Sequence, residues 1–126
     1  MELDIYYRLL PNAAAVDATR ALEAFCNPST GLKAYSTAKH TADFRVRLWP
    51  RGRVMLTAYY QSRAQLFLCQ AYCLPHTAIS MGIPADRVKG SNSPLRSEIR
   101  LTADEYVTHL QALTMAAAAS WQAETG

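Results

Sequence analysis

Apolar and polar positions alternate at the start of the chain, with Leu3, Ile5, Tyr7 and Leu9 set against Asp4, Tyr6, Arg8 and Leu10. This period of two predicts a strand. Pro11-Asn12 breaks it, and Asn12 suits the N-cap of a following helix. Ala15, Val16, Thr19, Leu22, Phe25 and Cys26 fall on one face of that helix until Asn27-Pro28 stops the run. Residues 27–41 have little periodicity and read as a long loop.

The next stretch, ADFRVRLWPRGRVMLTAYY at 42–60, is patterned as a hairpin. Phe44, Val46 and Leu48 alternate with Arg45, Arg47 and Trp49. Val54, Leu56, Ala58 and Tyr60 alternate with Arg53, Met55, Thr57 and Tyr59. Opposed residues share a face, so the expected pairs are Leu48 with Val54, Val46 with Leu56 and Phe44 with Ala58. Trp49 then faces Arg53 across a Pro50-Arg51-Gly52 loop, with Gly52 at positive φ. The arginines occupy the second face, away from the core.

Ser62 reads as the cap of a helix over residues 63–73, because Leu66, Cys69, Gln70 and Cys73 recur at helical spacing. After Leu74-Pro75 a further helical turn should end at Gly82. A short piece at 84–89 and a loop at 90–94 follow. Leu95, Ser97, Ile99 and Leu101 alternate with Arg96, Glu98 and Arg100, a further strand. Thr102 and Glu105 form a capping box for the last helix. Its inner face carries Tyr106, Val107, Leu110, Leu113, Thr114, Ala117 and Trp121. The resulting order, β-α-β-β-α-β-α, predicts an α+β fold: a ferredoxin-like split sandwich with an appended C-terminal helix. Residues 1–122 read as one domain and 123–126 as a frayed tail. Helices on one face of the sheet would leave the other free.

Composition narrows the class. At 126 residues, 50% hydrophobic and 18% charged, the chain is domain-sized and has the makings of a core. Its apolar stretches are too interrupted to cross a membrane. Glu2 and Asp4 stand where a secretion signal carries positive charge, and three cysteines form no framework, so a cytoplasmic protein is expected. Ten arginines against three lysines, with abundant alanine, suggest a GC-rich bacterial or phage coding sequence.

The net charge of +3 is unevenly placed. Lys39, Arg45, Arg47, Arg51, Arg53 and Arg63 are opposed within residues 39–63 by Asp43 alone. Arginines interleaved with Trp49 and Tyr59 are the strongest functional signal in the chain. Guanidinium groups contact phosphates, and aromatic rings stack on bases or on a partner's side chains. The candidate binding residues are Arg45, Arg47, Trp49, Arg51, Arg53 and Tyr59. The plain alternatives are a solvated face with Trp49 stacked on Arg53, or a face covered by the last helix or a second subunit.

The other constellations read as structure. Cys69, Cys73 and His76 could offer three zinc ligands, but a structural site needs a fourth. A Cys26–His40 nucleophilic pair would need proximity that spacing does not supply. His109 after Glu105 is a helix-surface pair. KGSNSP at 89–94 lacks a phosphate-loop spacing, and the helix-turn-helix rhythm near Gly82 has too short a second helix. No catalytic residue, metal ligand or cofactor is nominated. The expected function is a small non-enzymatic module binding nucleic acid or another anionic partner, such as an acidic protein surface. The alternative is a protein-interaction or inhibitor domain whose hairpin face is an oligomer interface, a homodimer for example. A small-molecule-binding domain comes third.

Overall fold

The computed structural model of the protein describes residues 2–37 and 43–125. The first element is a helix, α1 (Glu2–Arg8), in place of the expected strand. Leu3, Tyr6, Tyr7 and Leu10 are spaced i, i+3, i+4 and i+7, so a helix carries both tyrosines into the core. Ile5 and Leu9, half of the expected strand face, are 48% and 54% exposed. Helix α2 (Ala13–Phe25) starts as anticipated, with the Asn12 side chain accepting from the Ala15 amide at 2.8 Å. Ala15, Thr19 and Leu22 are buried.

Four strands follow as a meander: β1 (Leu32–Tyr35), β2 (Phe44–Leu48), β3 (Val54–Gln61) and β4 (Leu66–Ala71). Strand β1 falls within the expected loop. It is only four residues long, too short to show a period, and pairs Leu32 with Leu48 and Ala34 with Val46. Strand β4 replaces the expected helix over 63–73. Phe67, Cys69 and Ala71 are fully buried at period two, and each pairs with both β3 and the strand on the other side. The turn before it has Gln65 at φ 54, a conformation usually given to glycine or asparagine. That missing turn signal hid the hairpin.

The remainder is α3 (Pro75–Ser80), a single 3₁₀ turn at Ala85–Arg87, β5 (Val88–Gly90), β6 (Ser97–Leu101) and α4 (Ala103–Thr125). Gly82 ends the α3 region at φ 99. The capping box forms as expected: Glu105 accepts from the Thr102 amide at 2.8 Å, and Thr102 Oγ1 from the Glu105 amide at 3.2 Å. Tyr106, Leu110, Leu113, Thr114 and Ala117 are buried, while Val107 faces outward. The helix continues to Thr125, and Glu124 accepts from Arg96 at 2.5 Å.

The fold is therefore α+β, with a six-stranded antiparallel sheet in the order β1-β2-β3-β4-β6-β5. A split βαβ sandwich needs a strand at residues 3–9 and a helix at 63–73. The chain has the reverse at both places. The inner face of the sheet, with Phe44, Val46, Leu56, Ala58, Phe67, Cys69, Ile99 and Leu101, packs with residues of the helices in one core.

At the centre of that core the Tyr106 ring stacks on Phe67, with centroids 3.7 Å apart. Its hydroxyl meets Tyr6 of α1 at 3.0 Å and Thr19 of α2 at 2.5 Å. Thr19 also donates to the Ala15 carbonyl at 2.8 Å. Tyr106→Phe keeps the stack and removes the bridge, leaving the Tyr6 hydroxyl buried without this partner. A loss of about 1–3 kcal/mol of stability is expected in urea unfolding. Tyr6→Phe on top of it should then cost little more, because the orphaned hydroxyl is gone.

The hairpin register holds for two of the three expected pairs, Phe44 with Ala58 and Val46 with Leu56. It then shifts, so that Arg47 rather than Leu48 pairs with Val54. Met55 is the extra residue of a β-bulge, and it and Leu56 are both fully buried. Leu48 and Val54 consequently lie on opposite faces. The Leu48 amide bonds the Arg53 carbonyl at 3.0 Å, which leaves Trp49 in the turn and not across from Arg53. Nor does Gly52 adopt positive φ. It is needed for another reason: a Cβ there would meet Leu48 Cβ at 2.7 Å and the Leu48 carbonyl oxygen at 3.2 Å. Gly52→Ala should therefore lower stability by about 1–3 kcal/mol in denaturant titrations, as overpacking does.

Candidate functional site on the open sheet face

The strand registers place one row of side chains across the outer face: Tyr35, Arg45, Thr57, Gln70, Glu98 and Lys89, in spatial order. At about 4.8 Å per strand the row spans about 24 Å. A second row, Tyr59, Leu68 and Arg100, lies beside it, and Lys33, Arg47 and Val54 form a third. Of these outer side chains Lys89 and Arg100 are exposed and the others half-buried, although no described helix lines the groove above them.

That groove has a volume of about 830 Å³. Its floor is Val54, Thr57, Tyr59, Leu68 and Gln70. The loop at Ser93–Leu95 forms one wall, and Asp43, Arg45 and Arg53 stand on the hairpin side. The bulge at Met55 turns Val54 into this floor. Arg45, Arg53 and Tyr59 of the sequence candidates line it, and Val54, Leu68 and Gln70 join them. The last two fall in the segment expected as a helix, where only the period of two over 66–71 points to the sheet face.

The six sequence-nominated residues separate in space. Arg45 is on the groove and bound to Asp43, Nε to Oδ2 at 2.6 Å. Arg47 lies over the Tyr35 ring at 4.2 Å, outside the groove lining. Trp49 is 42% exposed in the turn, with the Lys33 ammonium 5.5 Å from its ring centroid. Arg51 is exposed at the tip. Arg53 does not stack on Trp49. It bends toward α4, 4.9 Å from the Trp121 ring and 5.8 Å from Tyr72. Tyr59 sits on the floor, its hydroxyl accepting from Gln61 at 3.3 Å.

Much of the charge on this face is compensated. Glu98 takes Lys89 at 3.0 Å and Arg100 at 3.4 Å. Asp43 accepts from Arg45, from the Thr37 amide at 3.1 Å and from the Ser36 hydroxyl at 3.1 Å. Its partial burial pushes the carboxyl pKa up, but these donors outweigh that and hold it below the usual carboxylate range.

The nucleophile and metal candidates do not assemble. Burial pushes the Cys69 thiol up to about 12 and Cys26 to about 11, and raises Cys73 as well, so none is primed as a thiolate. Cys69 is on a strand and Cys73 beyond it, both buried, whereas His76 is exposed. No group of three or more His, Cys, Asp or Glu able to hold a metal occurs among the described residues. His40 and Lys39 lie outside the described residues. No helix among the described residues is long and apolar enough to cross a membrane.

Asp43 ties the approach to β2 to the end of β1. Its folded pKa is depressed, so its contribution to stability is complete above the unfolded value of about 3.9 and is lost as pH falls through the folded value. Asp43→Asn should lower stability at neutral pH and flatten the acid limb of a stability–pH profile. A profile parallel to that of the parent protein would show that the carboxylate is not held in this way.

Comparisons of the chain with protein-family models, with curated proteins and with solved structures find no match.

Proposed function

We propose that the protein is a non-enzymatic interaction module that receives an acidic, apolar-anchored polypeptide segment in the groove of its open sheet face. The groove itself carries this reading. It combines an apolar floor, Val54, Tyr59 and Leu68 with Leu95 beside it, and a hairpin side where Arg45 and Arg53 stand with Asp43. Apolar contact supplies affinity, and charge complementarity selects the partner and its orientation.

Nucleic acid is the weaker reading of the same face. A phosphate backbone needs cations with free donors in a row. Here Arg45 is committed to Asp43, Arg53 leans on Trp121, and Asp43 and Glu98 would stand near the phosphates. Arg47, Arg51 and Trp49 are its remaining support, and they do not line the groove.

Selection of binders from a displayed library of random peptides tests the proposal. Enriched sequences should combine apolar with acidic residues and bind with only a shallow dependence on salt. Leu68→Glu, which puts a charge on the floor, should weaken the selected peptides at least about tenfold, or roughly 1.4 kcal/mol. Tyr59→Ala provides the same test without adding charge. The reading fails if the library yields no saturable binder while a single-stranded oligonucleotide binds with a steep salt slope.

A further inference from the structure

A second cavity, about 470 Å³, opens at the corner where α1 and α2 meet the β1 edge. Three cations line it: Arg20 from α2, Lys33 from β1 and Arg47 from β2. Lys33 and Arg47 are direct cross-strand partners, and like charges so placed repel. No salt bridge to any of the three occurs among the described residues. Arg47 Nε is buried and has no hydrogen-bond partner among them. The guanidinium is thus left without a carboxylate partner among the described residues.

The aromatic groups shape the site. Arg47 lies over Tyr35 at 4.2 Å and Arg20 over Tyr7 at 4.3 Å. A guanidinium held over a ring keeps its in-plane N–H donors for other acceptors. Asp4 and Glu23 are the acidic residues of the lining. Glu23 is engaged by the Tyr7 hydroxyl in a short hydrogen bond, and Asp4 has an interaction of its own.

We propose that this corner binds the phosphate group of a small phosphorylated molecule, with Arg47 and Lys33 as the principal ligands and Arg20 completing the set. A tetrahedral dianion accepts from several directions at once and relieves the Lys33–Arg47 repulsion. The cavity is larger than a phosphate and of small-molecule size, so the organic part of the ligand would lie against Tyr35. The site does not depend on the peptide groove, because neither Lys33, Arg47 nor Arg20 lines it.

Calorimetric titration at constant ionic strength tests the assignment, with phenyl phosphate and inorganic phosphate as probes and benzoate as the singly charged control. Phenyl phosphate should saturate one site and bind more tightly than benzoate. Arg47→Gln and Lys33→Gln should each weaken it at least about tenfold, the scale of one lost charge-assisted hydrogen bond. Arg51→Gln removes the same charge at the exposed turn tip and should leave binding unchanged. If Arg47→Gln does not fold, Lys33→Gln and Arg20→Gln decide. Absence of saturation, or equal weakening by Arg51→Gln, would overturn the site, whatever the groove binds.

Discussion

The hydroxyl of Tyr106 joins three helices at one buried point, and the ring beneath it lies flat on the sheet. Through Tyr6 it holds α1, through Thr19 it holds α2, and by stacking on Phe67 it seats α4 on β4. A polar atom buried among apolar side chains is stable only when its partners are correctly placed. The network therefore selects one arrangement of the helices, where apolar packing alone would tolerate several. Helices held to the inner face in this way leave the groove of the outer face without a described helix in its lining.

The second constraint is the β-bulge at Met55. An extra residue in β3 sends both Met55 and Leu56 inward and moves Val54 to the outer face beside Arg47. The same shift disengages Arg53 from Trp49 and lets it reach Trp121 and Tyr72. One inserted residue thus divides the arginine-rich hairpin into three environments. Arg45 is neutralised on the groove, Arg53 serves as packing against α4, and Arg47 is left with Lys33 at the sheet corner.

This division explains why a run of like charges is a poor guide to what a surface binds. Counted along the chain, the hairpin looks like a phosphate-binding strip. Counted in space, the centre of the face is the uncharged pair Thr57 and Gln70, flanked by the Asp43–Arg45 pair on one side and the Glu98 pairs on the other, and uncompensated charge gathers at the β1 edge. Surface pairs of this kind add little stability. Their larger effect is to remove cations from the pool available to a partner.

Local chemistry was legible in the sequence wherever neighbours in the chain are also partners in the fold. The Asn12 cap, the Thr102–Glu105 box, the apolar face of α4 and the first two hairpin pairs all depend on contacts within one element or across one turn. Period was ambiguous where both phases carry bulky apolar groups. In residues 3–10 the pattern fits a strand or a helix, and burying Tyr6 on Tyr106 and Phe44 with Tyr7 against Glu23 and Arg20 settled it as a helix. In residues 66–71 the helical spacing gave way because β4 is paired on both sides, by β3 and β6. Sequence determined which segments carry the arginines, the aromatics and the apolar faces. Tertiary structure alone decided where Arg53 and Arg47 go, because Trp121 and Lys33 reach them through packing and pairing between separate elements, whereas the Asp43–Arg45 pair is local in the chain.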